Sequence, residues 1–456
     1  MQKFNTLPAL SAPLLQATES LGYAVMTAIQ AAALPPMLEG LDVQAQAKTG
    51  SGKTAAFGLA MLARLQPGNS RLQAMVLCPT RELAEQVAQD LRALARFIPN
   101  LKIISLCGGI PLRPQLASLK HEPHIVTGTP GRLHELLRLK ELKVDALTTI
   151  VLDEADRMLD MGFLDDVSSI LAFMPATRNT WLFSATFPRE IRQLSDRFQK
   201  NPLTVTVEEG HDESVIAQYF YRAERPGKAD AVLMLLRLHQ AESALVFTNT
   251  RNDARDLCEF LWSKKIPALA LHGELEQRER ESTLVQFANG SVRVLVATDV
   301  AARGLDIKAL PLVIAYELPN DPDVHTHRIG RTGRAGESGV ALSLVAREEL
   351  PRLERIGHMN DMKPLLENLP ATSGTPLPAP VMATIQIDGG RQDKLRPGDI
   401  VGALTGAGGL SFEQIGKIDV FATRAYVAVN RSEAKRVVES LRSAKIKGRS
   451  FRLRYL

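Results

Sequence analysis

The feature that most constrains this chain is a largely apolar run, Leu147-Thr148-Thr149-Ile150-Val151-Leu152, that passes directly into Asp153-Glu154-Ala155-Asp156. The run reads as a buried strand, and no core tolerates adjacent unpaired acids, so the acids belong at the strand's end. A strand that ends in Asp and then Glu is how a nucleotide hydrolase holds magnesium and aims a water molecule. The stretch therefore calls for a phosphate-binding loop elsewhere in the sequence.

That loop is Ala47-Lys48-Thr49-Gly50-Ser51-Gly52-Lys53-Thr54, between Val43-Gln44-Ala45-Gln46 and the helix-like Ala55-Ala56-Phe57-Gly58-Leu59-Ala60. It departs from G-x-x-x-x-G-K-[ST] only at Ala47. Gly50 and Gly52 let backbone N–H groups curl around phosphate oxygens, with Thr49 and Ser51 in the same loop, and the following helix N-terminus adds its positive dipole. Lys53 would reach the β- and γ-phosphates. Thr54 would offer its hydroxyl to Mg2+, and Asp153 would complete the metal's protein contacts through water, because magnesium dehydrates reluctantly. Glu154 is left to orient the attacking water. A surface turn at 50–53 beside a solvated helix start at 153–156 is the competing reading, and the pairing of the two elements argues against it. ATP or GTP binding is expected.

A chain of 456 residues, 45% hydrophobic and 23% charged, is too long for one domain, and two or three are expected. Cys78, Cys107 and Cys258 form no C-x-x-C pair, which argues against zinc and disulfides and for buried packing roles in a reducing compartment. No apolar stretch approaches the ~20 residues of a membrane span, and Pro8, Ser11 and Pro13 interrupt the place of a secretory core. A cytoplasmic location is expected. Residues 382–456 hold 14 Lys and Arg against 7 Asp and Glu; that surplus of seven, against +5 for the whole chain, leaves the rest at −2. The basic surplus thus belongs to the tail, as a nucleic-acid footprint or a solvated face.

Two connectors divide the chain: a polar one at 208–214, and one at 370–380 rich in Pro, Ser, Thr and Gly. The expected domains are 1–207, 216–369 and 382–456. Buried strands are expected at 74–78, 124–126, 150–152 and 181–183, and again at 244–247, 292–297 and 312–315. Such runs between helices imply two tandem α/β domains with parallel sheets covered on both faces, only the first carrying a phosphate loop.

An ordered set of motifs over about residues 1–350 resembles the DEAD-box RNA helicases. It comprises Gln30 in the stretch Gly22-Tyr23-Ala24-Val25-Met26-Thr27-Ala28-Ile29-Gln30, the phosphate loop, Pro79-Thr80-Arg81-Glu82-Leu83-Ala84, Thr129-Pro130-Gly131-Arg132, Asp153 to Asp156, and Ser184-Ala185-Thr186. The second half adds His272-Gly273, Gln277 with Arg280, Ala297-Thr298-Asp299-Val300-Ala301-Ala302-Arg303-Gly304-Leu305-Asp306-Ile307, and His327-Arg328-Ile329-Gly330-Arg331-Thr332-Gly333-Arg334. Ala28 departs from the family's usual Pro, a small change because Pro there mainly fixes a helix start.

The resemblance implies two RecA-like domains, ATP and Mg2+ as cofactors, and RNA as partner, with no membrane or DNA. Gln30 would read adenine, selecting ATP over GTP, and Tyr23 would stack beside the ring. Arg331 and Arg334, three apart and so on one face of a helix, would act as arginine fingers on the γ-phosphate. Asp306 would touch the ribose, and Gly304 would allow close backbone approach. Ser184, Ala185 and Thr186 would couple the ATP state to unwinding, although a plain hydroxyl cap of the next helix competes for Ser184 and Thr186. Thr80, Arg81, Gly108, Gly109, Thr129, Gly131 and Arg132, with Arg251, Gln277, Arg280, Thr298 and Asp299, suit phosphates and 2′-hydroxyls rather than base edges, so the core should be nearly sequence-blind. Arg251 also reads as a surface residue at a helix start.

In the tail, a strand at 382–388, a helix at 399–404, two strands within 415–429, a helix at 432–441 and a strand at 450–455 give βαββαβ, an RRM-like α+β fold. Alternation points Phe421, Val427 and Val429 to the core and Arg424 with Tyr426 outward, a single exposed aromatic where ordinary RRMs stack several bases. Gly389-Gly390, Leu395 to Leu404 and Ile415-Gly416-Lys417-Ile418 resemble the bacterial DbpA-type subgroup. That implies binding to a hairpin of 23S ribosomal RNA during 50S subunit assembly, through Lys394, Arg396, Lys417, Arg424, Tyr426, Lys445, Lys447 and Arg449. The alternatives are a general RNA helicase whose tail recruits a protein, and a non-hydrolysing RNA clamp.

Overall fold

The computed structural model describes residues 2–47, 50–207, 216–302, 310–333, 339–360, 362–371, 375–442 and 444–456. Among them the strands are β1 (Val43–Gln46), β2 (Ala74–Leu77), β3 (Ile103–Leu106), β4 (Ile125–Gly128), β5 (Thr149–Asp153), β6 (Asn179–Ser184) and β7 (Leu203–Thr206) in a first sheet. A second sheet holds β8 (Ile216–Arg222), β9 (Ala244–Thr248), β10 (Ala268–Leu271), β11 (Val294–Thr298), β12 (Leu312–Ala315), β13 (Gly339–Val345) and β14 (Leu366–Asn368). The third comprises β15 (Met382–Ile387), β16 (Ile415–Val420), β17 (Ala425–Asn430) and β18 (Leu453–Tyr455). One compact unit contains the first sheet, and the other contains the second and third.

The first sheet runs β3-β4-β2-β5-β6-β1-β7 and the second β10-β11-β9-β12-β13-β8-β14, all pairings parallel. The central strands are mostly apolar because helices cover both faces: every residue of β2, β4, β5, β9 and β12 is buried. Phe57 of the helix Lys53–Arg64 meets Phe183 of β6 at 5.3 Å between ring centroids, seating the helix after the phosphate loop on the sheet. Cys78, Cys107 and Cys258 are buried free thiols, as their spacing implied.

The tail follows the expected βαββαβ order, its antiparallel sheet running β16-β17-β15-β18. Ala383, Ile385 and Ile387 of β15 join Val427 and Val429 of β17 in a core closed by the helices Pro397–Thr405 and Arg431–Leu441. The opposite sheet face is also closed. Thr384, with no exposure, shares its hydroxyl with Asn289 Nδ2 at 2.9 Å and Ser291 Oγ at 2.8 Å, both from the turn before β11. Arg431 donates to the carbonyls of Pro380 (2.6 Å), Met382 (2.8 Å) and Ser291 (2.8 Å), riveting the tail to that turn. Gln240 reaches the connector at the Thr375 carbonyl, 2.8 Å away.

Two expectations for the tail are corrected here. Tyr426 does point away from the tail's own core but is only 1% exposed, packed edge-on to Phe421 at 5.7 Å and lying beside Glu281 and Ser282 of the helix Gln277–Ala288. Phe421 partners Tyr426 rather than the apolar core. Strand alternation assigns a face, and only tertiary packing decides what covers it.

Candidate nucleotide and RNA sites

The C-terminal ends of the first sheet's strands divide the work spatially. Adjacent β5, β6 and β1 lead into Glu154, Ser184-Ala185-Thr186 and the phosphate loop, while β3, β4 and β2 lead into Gly108, Thr129 and Thr80. Ligands of open α/β sheets bind at such strand ends.

Gly50 and Gly52 adopt left-handed φ values of 89° and 92°, as the curled loop requires, and Lys53 begins the helix with Thr54 next. Lys53 Nζ and Asp153 Oδ1 are both buried without a hydrogen-bond partner. Burial pushes the Asp153 carboxyl up to about 6, opposed by the Lys53 ammonium and reinforced by Glu154. An orphaned buried cation and carboxylate oxygen fit a site whose remaining ligands are phosphate oxygens and a divalent cation. Glu154 itself sits at φ 54°, ψ 55°, a left-handed conformation costly for a side-chain-bearing residue, at the start of the helix Ala155–Asp160.

Gln30 is tied to the loop. Its Oε1 accepts from Thr27 N at 2.9 Å, its Nε2 donates to the Gly52 carbonyl at 3.1 Å, and Thr27 Oγ1 donates to the Ser51 carbonyl at 2.8 Å. A primary amide retains one further N–H and one lone pair, enough to pair with an adenine edge. Tyr23 is 40% exposed, its ring 6.5 Å from that of buried Phe4, a packing partner that the sequence reading did not single out.

Ser184 and Thr186 do not cap the following helix, Arg189–Phe198, whose start at Pro188 has no side-chain cap. They bind Asp156 instead. Ser184 Oγ accepts from Asp156 N at 3.1 Å and donates to the Thr186 carbonyl at 2.6 Å; Asp156 Oδ2 accepts from Thr186 N at 3.0 Å and Thr186 Oγ1 at 3.2 Å. The Ala185 carbonyl accepts from Gln46 Nε2 at 3.1 Å.

On the other side of the sheet, Thr80 caps the helix Arg81–Leu94 by accepting from Leu83 N at 3.2 Å, and Thr129 accepts from Gly108 N at 3.1 Å. Gly109 turns at φ 67° with the Arg81 guanidinium lying where its Cβ would be. Gly131 opens the helix Pro130–Arg138 facing Asp166. Arg132 is 9% exposed, donates Nη2 to the Ile110 carbonyl at 3.0 Å and ion-pairs with Glu135 at 2.9 Å, while its Nη1 is buried without a hydrogen-bond partner.

In the second sheet, Gln277 and Arg280 lie on the helix Gln277–Ala288, where Arg280 Nη2 donates to the Ala301 carbonyl at 2.7 Å. Thr298 ends β11. The Asp299 carboxylate is gripped by Arg328 through two bonds of 2.7 Å, and Arg328 also donates to the Glu317 carbonyl (2.6 Å) and Asn249 Oδ1 (2.8 Å). Asp299 therefore positions its turn, and Arg328, quoted in its motif but assigned no role there, is its buried anchor. Arg251 opens the helix Arg251–Ser263 and ion-pairs with Glu274 at the surface, as the helix-start reading allowed. The helix Pro322–Ile329 is capped at Gly330, so Arg331, buried, stands in the turn beyond it. Thr49, Gly304, Asp306 and Arg334 lie outside the described residues.

In the tail, two loops meet. Lys447 Nζ donates to the Lys394 carbonyl at 2.7 Å and pairs with Asp399 at 3.2 Å; Asp399 also accepts from Arg396 N at 2.9 Å, and Arg449 lies 3.8 Å from Asp393. Lys394, Arg396, Lys447 and Arg449 thus share one exposed basic edge, with Lys445 exposed in the same segment. Lys417 pairs with Asp419, and Arg424 turns to Asp388. Among the described residues no group of three metal-binding side chains and no helix long and apolar enough to cross a membrane is found.

Residues 27–194 match the model of the DEAD/DEAH box helicases, 227–336 that of the helicase conserved C-terminal domain, and 384–455 that of the DbpA RNA binding domain. The chain is 51% identical, over the full length of both, to the ATP-dependent RNA helicase DbpA of Escherichia coli. It is 41% identical to the DEAD-box ATP-dependent RNA helicase CshA of Geobacillus kaustophilus, over 80% of this chain and 79% of that one. A solved structure of S. cerevisiae Dbp5 bound to RNA and ADP BeF3 matches with a TM-score of 0.72 at 30% identity, covering 81% of this chain and 96% of that one.

Proposed function

From the premise that the chain belongs to the DEAD-box ATP-dependent RNA helicases and carries a DbpA RNA-binding domain, we propose that it acts on 23S ribosomal RNA during 50S subunit assembly. The observation that carries the catalytic half is the buried, unpartnered pair of Lys53 Nζ and Asp153 Oδ1 beside the positive-φ glycines. The basic edge of the tail supports the targeting half.

In this reading the N–H groups of the Gly50–Gly52 turn and the Lys53 ammonium hold the β- and γ-phosphates, and Gln30 reads adenine beside Tyr23. Thr54 and Asp153 would hold magnesium, which neutralises phosphate charge when bound. Glu154, aimed by its left-handed backbone, takes a proton from the attacking water. Arg331 and Arg334 stabilise charge on the transferring phosphoryl group. Ser184 and Thr186, bonded to Asp156 two residues past Glu154, relay the nucleotide state together with Ala185. The two core RNA sets hold a strand by its phosphates and 2′-hydroxyls, without reading sequence. Lys394, Arg396, Lys445, Lys447 and Arg449 hold a hairpin and keep the sequence-blind core at high local concentration near its target.

The test is ATP hydrolysis by the full chain with a panel of RNAs. Selective stimulation by large-subunit rRNA fragments is expected, and equal stimulation by unrelated RNAs of the same length would sink the targeting assignment.

A further inference from the structure

β1 is flanked by β6 and β7, one strand in from the sheet's edge, yet its sequence is Val43-Gln44-Ala45-Gln46. Two glutamines on one face of an inner strand each need a partner, since an unsatisfied amide there costs more than an aliphatic side chain. Both partners lie in the segment after Asn179. Gln44 Nε2 donates to Ser195 Oγ on the helix Arg189–Phe198; Ser195 Oγ donates to Gln199 Oε1 at 2.6 Å, and Gln199 Nε2 donates to the carbonyls of Val43 (3.0 Å) and Thr180 (2.8 Å). That chain closes on itself and explains Gln44 as a structural strut.

Gln46 has a different partner. Its Nε2 donates to the Ala185 carbonyl at 3.1 Å, while the next residue, Ala47 at the head of the phosphate loop, donates its N–H to the Ser184 carbonyl at 3.1 Å. The Ser184-Ala185-Thr186 turn is thus held from two directions. Asp156, two residues past the proposed general base, holds Ser184 and Thr186; Gln46, four residues before the first loop glycine, holds Ala185.

We propose that Gln46 is a positioning residue that transmits the conformation of the phosphate loop to the Ser184–Thr186 turn. Its backbone moves with the loop and its amide moves with the turn. The inference rests on the assignment of that turn to coupling, made above.

The experiment compares duplexes unwound per ATP hydrolysed, RNA-stimulated kcat and ATP affinity in the full-length chain. Gln46→Met removes the donor at nearly constant volume and is expected to lower unwinding per ATP about fivefold or more while ATP affinity stays within about twofold. Gln44→Met, on the same strand and face, is the control and should leave unwinding per ATP unchanged. Should Gln46→Met not fold, Gln46→Glu keeps the shape, sets a carboxylate against the Ala185 carbonyl, and is expected to show the same loss. Wild-type unwinding per ATP in either folded variant overturns the proposal, as does a loss of ATP affinity as large as the loss of unwinding, which marks Gln46 as mere support for the loop. A Ser184→Ala/Thr186→Ala variant with normal unwinding per ATP would instead overturn the coupling assignment itself.

Discussion

The Arg328 guanidinium and the Asp299 carboxylate face each other fork to fork, with Nε and Nη2 each 2.7 Å from an oxygen and the arginine 1% exposed. Arg328 also reaches the ends of β9 and β12 through Asn249 and Glu317. The pair therefore ties the turn that follows Thr298 at the end of β11 to the segment that carries Arg331 three residues later.

Arg328→Lys keeps the charge but cannot span two carboxylate oxygens and two carbonyl acceptors together. Breaking a buried pair from one side costs about 3–5 kcal/mol. The variant is expected to lower the unfolding midpoint of the second core domain and to weaken RNA binding and ATP turnover together. A double-mutant cycle with Asp299→Asn should return a coupling of about 1 kcal/mol or more. Additive effects would remove the link.

Glu154→Gln is expected to bind ATP and RNA normally and to lose turnover by about 100-fold or more, the usual yield of a general base. Lys53→Ala should lose ATP binding itself, because its buried ammonium has no partner to release in exchange. Equilibrium ATP binding beside single-turnover hydrolysis separates the two.

Gly109→Ala places a methyl group where the Arg81 guanidinium lies, at a φ that alanine avoids. The RNA concentration for half-maximal ATPase stimulation should rise about tenfold, or 1.4 kcal/mol in binding terms, with ATP affinity unchanged. RNA titrations of the ATPase rate read this directly.

His325 is buried, its ring stacked on Phe220 at 5.8 Å, with Nε2 3.3 Å from Gln218 Oε1. Burial pulls its imidazole down to about 4, and nearby Arg328 acts in the same direction. The folded protein therefore binds a proton less readily than the unfolded chain, so this contribution to stability is intact above about pH 6.5 and is lost as pH falls toward 4. The span amounts to about 3 kcal/mol. Denaturant unfolding of wild type and His325→Gln between pH 7.5 and 5 should show a shallower decline for the variant.

Lys447→Ala and Arg449→Ala should each weaken hairpin rRNA binding and flatten the slope of log affinity against log salt by about one. Lys417→Ala, on β16 rather than in either loop and paired with Asp419, should change the slope least.

The strands β2, β4, β5, β6, β9, β11 and β12 and the glycine turn at 50–52 were legible because burial on two faces and left-handed glycines leave direct marks in sequence. The other strands of the two parallel sheets were not, inner β1, β8 and β13 among them; β7, Leu203–Thr206, buries only Val205, so no apolar run announces it. Three side-chain geometries also escaped. Arg331 stands in the turn beyond Gly330, which ends the helix one residue before it. The competing reading of Ser184 and Thr186 as helix caps gave way to Asp156, a partner 28 to 30 residues away. Tyr426 was oriented correctly by alternation, but its cover comes from residues more than 100 positions earlier, which no local pattern encodes.

The covered sheet face of the tail bears on how such an enzyme is retargeted. Thr384 and Arg431 fasten that face to the Asn289–Ser291 turn, so a whole tail transplanted from a relative would arrive without its matching socket. The segments around 391–396 and 445–449 lie clear of that socket. Exchanging only those two loops would leave the mounting intact.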